Sequence, residues 1–483
     1  MSPPAAATDY GVLYKPTKPA ELLSADRLHS ICQAHDIRYI RVQWVDLVNT
    51  VRFRVLPRKY FVKLLSSSRP GVCLAKTTLG IIGCSSVPGF SGTGEYLYVP
   101  DLSSFRICPY APGHASVMGW FQEKTAAPNA GLTVDLCPRT LLNRIVEEAL
   151  AKAGLAFLAG FESEFILLKA TSPTPIAVNN ADWSCSSKFP SGSVEAKVLE
   201  EIAHDLLEGG IELQMYHAEA APGQYEVVTG PLAPLEAADA VVFTRETIYN
   251  VAAKHGLRAT FAPRLHSDNC GSGAHMHLSM HSSRMHPPPV RPDTDASLAP
   301  TLTLTERSFL QSWITHLPAL CALTLPTAAS YARVLDGIWS GGTYACWGTD
   351  NRETPIRLCG PPHHHHFEMK CGDATANPYL VLAGVIAVGV HGILDGALLS
   401  VGDCLKPVFQ MDEGERRAVG LDNPGRLPGT IADARKLLAQ DEVLGAALGE
   451  GFVEKYLVVN EELETFLKAE TEQATVTRLL EYY

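Results

Sequence analysis

A chain of 483 residues with 46% hydrophobic composition can bury more than one sizeable core, and its length suggests about two to four folding units. The formal net charge of −11, with no Lys/Arg-rich run, offers no basic face to a phosphate backbone and argues against nucleic-acid binding. Twelve cysteines without a Cys-x-x-Cys pair argue against a structural zinc site and fit free thiols in a reducing, cytoplasmic setting.

Residues 1–20 carry Pro3, Pro4, Pro16 and Pro19 with little periodicity and read as a flexible arm. The start has no basic end followed by an apolar stretch, so no secretory signal is expected. Ser24 then opens a short helix with Leu28, Ile31 and Cys32 on one face. Alternation over 39–46 and 51–56 predicts a hairpin with one wet face. With the β-rich stretch near 96–110, it makes a small α+β domain over 21–113, closed by a linker at Pro112 and Gly113. The larger unit, 114–483, begins its regular structure with a helix from Pro138, a Gly stop and a strand over 156–168. Strands carrying acids or histidines then alternate with amphipathic helices, as in a large α/β domain. Residues 170–193 and 282–300 read as surface loops. The apolar run 379–390, about 12 residues long, is shorter than the roughly 20 that cross a bilayer. It reads as a buried helix, and no membrane partner is expected.

The chemistry concentrates in five segments. Glu162 and Glu164 are two apart on a strand and share a face, so they repel unless a cation or a proton sits between them. Hard divalent cations suit such carboxylates. Glu219 and Glu226 bracket an Ala-Pro-Gly turn that can aim both at one centre. Gly271-Ser-Gly-Ala-His275-Met-His277-Leu-Ser279 sets a Gly-rich turn before a strand that shows His275, His277 and Ser279 on one face. Arg333, Arg352 and Arg357 supply guanidinium forks suited to phosphate and carboxylate. Phe367-Glu368-Met-Lys370 puts acid and base on one strand face, before the turn into the apolar helix. His363 to His366, just ahead of it, read as a solvent-facing connecting loop.

In this order the segments resemble the catalytic domain of the glutamine synthetase superfamily, type I arrangement. The matching motifs are Glu-x-Glu-Phe, Glu-x-Ala-Pro-Gly-Gln-Tyr-Glu, Gly-Ser-Gly-x-His-x-His-x-Ser, Asn-Arg-x-x-x-Ile-Arg and Glu-x-Lys-x-x-Asp-x-x-x-Asn-Pro-Tyr. The hairpin with Trp44-Val-Asp46 resembles the small domain, and the closing Glu481-Tyr-Tyr483 is also similar. The resemblance implies an α+β fold: a small N-terminal β-grasp domain, then a large catalytic α/β domain with a curved antiparallel sheet. It implies two divalent ions, Mg²⁺ or Mn²⁺, one held by Glu164, Glu219 and Glu226 and the other by Glu162, His275 and Glu368. His277, Ser279 and Arg357 would lie beside ATP, Arg352 and Arg357 would face the transferred phosphate, and Gly271, Arg333, Trp339 and Lys370 would meet the substrates. Asp46 would reach a neighbouring subunit's site, which implies a homo-oligomeric ring, commonly two stacked hexamers (a dodecamer). The implied reaction phosphorylates a glutamate-like γ-carboxylate and lets an amine or ammonia displace the phosphate.

Three positions depart from the pattern. Ammonia-using members carry a glutamate six residues after the arginine matching Arg333, where this chain has Trp339. An indole accepts no proton, although its face attracts organic ammonium, so the expected nucleophile is larger or less polar than ammonia. Lys370 replaces an arginine fork by a point charge, and Asn269-Cys270 is displaced by one. Trp339-x-Gly-Gly and Trp347-Gly-x-Asp-Asn-Arg-Glu resemble the γ-glutamyl-amine ligases and the fungal glutamine-synthetase-like proteins. Glutamine synthesis is the alternative, kept alive by Asp46. A non-catalytic scaffold or regulator is the second alternative, against which the six retained ligands argue.

Overall fold

The computed structural model describes residues 25–127, 131–265, 269–282, 298–362 and 364–483. The arm expected at 1–20 and most of the 282–300 segment lie outside the described residues. The first helix runs over Ala25–Ala34, and the hairpin forms from Tyr39–Val45 and Val51–Pro57, paired antiparallel. The inner strand of the pair is largely buried and the outer one largely exposed, so burial divides between the two strands and not, as the alternation suggested, between two faces of the hairpin.

The expected boundary at 113 does not match the strand pairing. Pro112 and Gly113 form a hairpin turn: Gly113 adopts φ of 81°, and Arg106–Ile107 pairs antiparallel with His114–Val117. His114–Val117 also lies parallel to Tyr39–Val45, while Gly119–Ala127 pairs with Glu95–Pro100 and with Gly131–Thr133. Both four-stranded sheets of the small unit therefore draw on strands past 113, and we propose the division near residue 134. A Pro-Gly pair signals a turn and does not distinguish a hairpin from a linker.

The large unit is built on one open sheet. Leu155–Ala170 is its centre, flanked on one side by Gln224–Thr229 and Leu213–Ala218. On the other side lie Met276–Ser282, His366–Met369, Ile356–Cys359 and Trp347–Thr349. Its pairings are antiparallel except the last, which is parallel. The apolar run 379–390 forms the body of a helix, Pro378–Asp395, entered at an Asn377 cap and packed against Leu304–Thr324 and Pro138–Ala153. Its side chains are almost all buried inside the protein.

Two contacts fix the small unit on the large one. The buried Arg139 guanidinium bonds to Asp239 (3.0 and 2.8 Å) and to Asp101 (2.7 Å), while the Tyr379 hydroxyl donates to Asp239 at 2.6 Å. The 46–50 turn is hydrogen-bonded to the 374–377 turn, through Asn49 Nδ2 to the Ala374 carbonyl (2.8 Å) and Asn377 Nδ2 to the Asp46 carbonyl (2.9 Å).

Candidate active site

Strand register sets a row of ionisable side chains across the sheet. His217 lies opposite Glu226, Glu226 opposite Glu164, His277 opposite Glu368, and Glu368 opposite Arg357. Gly223, at φ 67°, completes the turn that returns the chain from Glu219 to Glu226. A cavity of about 730 Å³ opens over this row. Of the residues singled out in the sequence, Glu162, Glu164, Glu219, Glu226, His275, His277, Ser279, Gly271, Arg333, Trp339, Arg352, Arg357 and Lys370 line it. Glu368 sits just behind the lining, 99% covered, with its carboxylate held by Arg357 Nη1 (2.9 Å) and Lys370 Nζ (3.1 Å).

Glu162 is the hub. Its two oxygens meet His275 Nδ1 at 2.7 Å and His277 Nε2 at 3.0 Å. Burial alone would raise its carboxyl, but the two imidazoles together hold it well below the usual carboxylate range. Glu219 behaves in the opposite way: burial, then the charges of Glu164 and Glu226, push it up to about 7. Glu164, Glu219 and Glu226 gather their carboxylates about one corner of the cavity, a donor set that fits a hard divalent cation. Three sets bring ligand atoms within 4.8 Å of one another: Glu162, Glu226 and His275; Glu162, His277 and Glu368; and His217, Glu219 and Glu226.

Glu164 is in none of these sets: one carboxylate oxygen accepts from the Gly273 amide (2.8 Å) and from Gln224 Nε2 (3.3 Å), and the other lies 3.8 Å from His275 Nε2. His277, expected beside ATP, also lies within reach of Glu162 and Glu368. The Ser279 hydroxyl is bonded to His281 Nε2 at 2.9 Å. Arg333 is buried and donates to the Lys370 and Gly372 carbonyls (3.1 and 2.9 Å), packed so closely on Gly271 that a Cβ there would lie 2.5 Å from its Cγ.

Asp46 is not brought to the cavity. It has no exposed surface, and its carboxylate accepts from the Val48 amide (3.1 Å), the Thr50 amide (2.9 Å) and Arg52 Nε (2.8 Å) within its own hairpin turn. In this conformation its carboxylate caps a turn of its own hairpin.

The histidine run is also corrected. His363 lies outside the described residues, and His364 is exposed, but His365 is buried against the Gly360 carbonyl (3.0 Å). His366 opens a strand, lines the cavity and sets its ring 5.1 Å from that of His277. Burial, then His277, lowers the His366 imidazole to about 4. Strand pairing with 356–359 draws it inward, a long-range effect that a run of four identical residues conceals.

Sequence reasoning missed three further cavity residues. His217 is bonded to Glu226 at 3.0 Å, and that bond raises its imidazole to about 9. Gln224 bridges Glu164, the Gly271 carbonyl and Ser272 Oγ, and its place inside the Ala-Pro-Gly-Gln motif was the available signal. Trp183 comes from the 170–193 segment and meets Trp339, which no local pattern announces.

A family model described as "Glutamine synthetase, catalytic domain" matches residues 135–478. The chain belongs to the glutamine synthetase family. Protein fluG of Emericella nidulans is 34% identical over 476 residues, which cover 96% of this chain and 51% of that protein. The chain thus spans about half of fluG's length. The glutamine synthetase relatives include gamma-glutamylpolyamine synthetase GlnA3 of Streptomyces coelicolor, 30% identical over 459 residues, covering 92% of this chain and 93% of that one. A solved structure titled "Crystal structure of novel glutamine synthase homolog" superposes with a TM-score of 0.74 at 28% identity, over 92% of this chain and 99% of that one. The carboxylate and histidine row described above falls wholly within the matched catalytic domain.

Proposed function

We propose that this chain is an ATP-dependent carboxylate–amine ligase that forms a γ-glutamyl amide through an acyl phosphate, with an organic amine as nucleophile. The observation that carries the reading is Trp339. An indole, 59% exposed and lining the cavity, stands where an ammonia-using site would need an acid. The name of GlnA3, a gamma-glutamylpolyamine synthetase, supports the class of reaction.

Glu162, Glu164, Glu219, Glu226, His275 and Glu368 would hold two Mg²⁺ or Mn²⁺ ions, which when bound neutralise the nucleotide's phosphates. Arg352 and Arg357 offer guanidinium forks to the phosphoryl group in transit, a role of charge stabilisation and positioning. His277 and Ser279 would flank ATP, with Gly271, Arg333 and Lys370 facing the acid substrate. In the first step the β–γ P–O bond of ATP breaks as a γ-carboxylate oxygen bonds to phosphorus. In the second the amine lone pair adds to the acyl carbon, the C–O bond to phosphate breaks with its electron pair, and the nitrogen gives up a proton to water.

Glutamine synthesis as the alternative rests on Asp46, whose carboxylate is bonded within its own hairpin turn. A soluble homo-oligomeric ring in the cytoplasm is the setting we propose. Purified protein with ATP, L-glutamate and Mg²⁺ or Mn²⁺ should release ADP with an organic amine and not with ammonium. Turnover with ammonium alone would overturn the choice of nucleophile, and silence with every amine would point to the non-catalytic scaffold.

A further inference from the structure

Two tryptophans at the cavity stand apart from the rest of the aromatic side chains. Trp44, Trp313 and Trp347 are buried, whereas Trp183 and Trp339 are 57% and 59% exposed. Their rings touch edge to face, with centroids 5.7 Å apart at 65°. They come from separate segments, and each segment is moored to a different wall of the cavity.

The 170–193 stretch is the surface loop that its composition suggests, but an anchored one. Asn179 Nδ2 bonds to the Lys188 carbonyl, to Glu195 and to the Tyr225 hydroxyl, all at 3.0 Å. The buried Lys188 ammonium donates to the carbonyls of Glu219 and Ala221, so the segment bearing Trp183 is tied to the turn bearing Glu219. Trp339 is fixed from the other side. It sits at φ 60°, a left-handed conformation that a bulky side chain rarely adopts. The buried Glu353 carboxylate holds it there by accepting from the Gly337 amide (3.0 Å) and the Trp339 amide (2.7 Å). Two residues on, Gly341 packs so closely that a Cβ would lie 2.9 Å from Lys370 Cβ.

The charges around this pair limit what it can hold. Among the described residues lining the cavity, the only acids are Glu162, Glu164, Glu219 and Glu226, all belonging to the carboxylate and histidine row. The charged groups beside the pair are Lys370, against which Gly341 packs, Arg333, bonded to the Lys370 carbonyl, Glu353, whose two oxygens accept the Gly337 and Trp339 amides, and Asp182, which precedes Trp183 and accepts from the Ser184 amide (2.9 Å). A second ammonium on the amine would meet Lys370 and Arg333 at the cavity wall, where Glu353 is already taken up by two amides and Asp182 lies outside the lining.

We propose that Trp183 and Trp339 together form the seat for the organic part of the nucleophile, and that this nucleophile is a monoamine with an aromatic or branched apolar body. Trp183 is then a specificity-determining residue on a segment outside the family's motifs. The inference rests on the ligase reading and names its amine: the indole faces cover the apolar body, while the amino group points inward toward the acyl carbon.

The test uses the full chain with 2-phenylethylamine, isobutylamine, putrescine and ammonium at saturating ATP and L-glutamate. Trp183→Ala is expected to raise KM for 2-phenylethylamine about tenfold, the loss of one aromatic contact, with kcat and, each varied in a separate series, the KM values for ATP and L-glutamate within about twofold. Trp183→Phe should restore most of it, and wild type should prefer 2-phenylethylamine to putrescine. Amide formation with an unchanged amine KM in Trp183→Ala, or a preference for putrescine, overturns the seat and leaves the ligase reading standing. Calorimetric titration with 2-phenylethylamine reads the seat without turnover. Saturable binding weakened about tenfold by Trp183→Ala, in a protein that forms no amide with any amine, would keep the seat and refute the ligase. Equal affinity in both proteins, or no binding to wild type, overturns the seat.

Discussion

Glu353→Gln separates a loop held by one carboxylate from a loop held by its own sequence. The Glu353 side chain is buried, and its two oxygens accept one amide each, from Gly337 and Trp339. Glutamine turns one of those oxygens into an NH₂ group, so one amide faces a donor and the other keeps a neutral acceptor. A hydrogen bond to a charged group contributes about 1.5–3 kcal/mol, and a left-handed residue other than glycine costs about 1–2 kcal/mol. The loss therefore matches or exceeds the strain at Trp339, and the loop should relax away from that conformation. The amine KM is expected to rise about 10-fold, while the ATP KM stays within about twofold, because Glu353 grips the acceptor side of the cavity. Unfolding entropy for a chain of this size is roughly 1 kcal/mol per kelvin, so the melting midpoint should fall by only about 2–3 °C. Steady-state kinetics with the amine varied, beside a thermal melt, make the comparison. A lowered melting midpoint with an unchanged amine KM would refute the link between Glu353 and Trp339.

Asp46→Ala should destabilise the protein by about 3–5 kcal/mol in urea, since it strands two amides and the Arg52 guanidinium in a buried turn. The folded fraction should keep its kcat, and a lost kcat at unchanged stability would return Asp46 to a catalytic role. Glu306 tests electrostatics away from the cavity. Burial pushes this capping-box carboxyl up to about 7, against the two hydrogen bonds it accepts from Thr303. A raised folded value means that its contribution is fully present below the unfolded value of roughly 4.3 and is lost as pH rises through about 7. Relative to Glu306→Gln, wild type should lose on the order of 3 kcal/mol of unfolding free energy between pH 4 and pH 8. A difference between the two proteins that does not change with pH would contradict the shift.

What could be read from the sequence was local. Alternation by two placed Glu162 beside Glu164 and His275, His277 and Ser279 on one face, because a strand's period is set by its backbone. The Pro138 start and Gly154 stop marked a helix because a first-turn residue needs no N–H and glycine takes the left-handed cap freely, and five ordered motifs carried the family. The tertiary structure decided which residue each of these meets. Glu162 took both imidazoles, and one oxygen of Glu164 took the Gly273 amide. Asp46 found its partners within six residues, inside a turn whose burial depends on the 374–377 segment. His366 was drawn inward by strand pairing, and the turn at Gly113 closed a hairpin because its strands were claimed by the small unit's sheet. Trp183 and Trp339 met only because two loops are anchored to opposite walls of one cavity. Such contacts depend on register and packing between distant segments, and no local period in the chain encodes them.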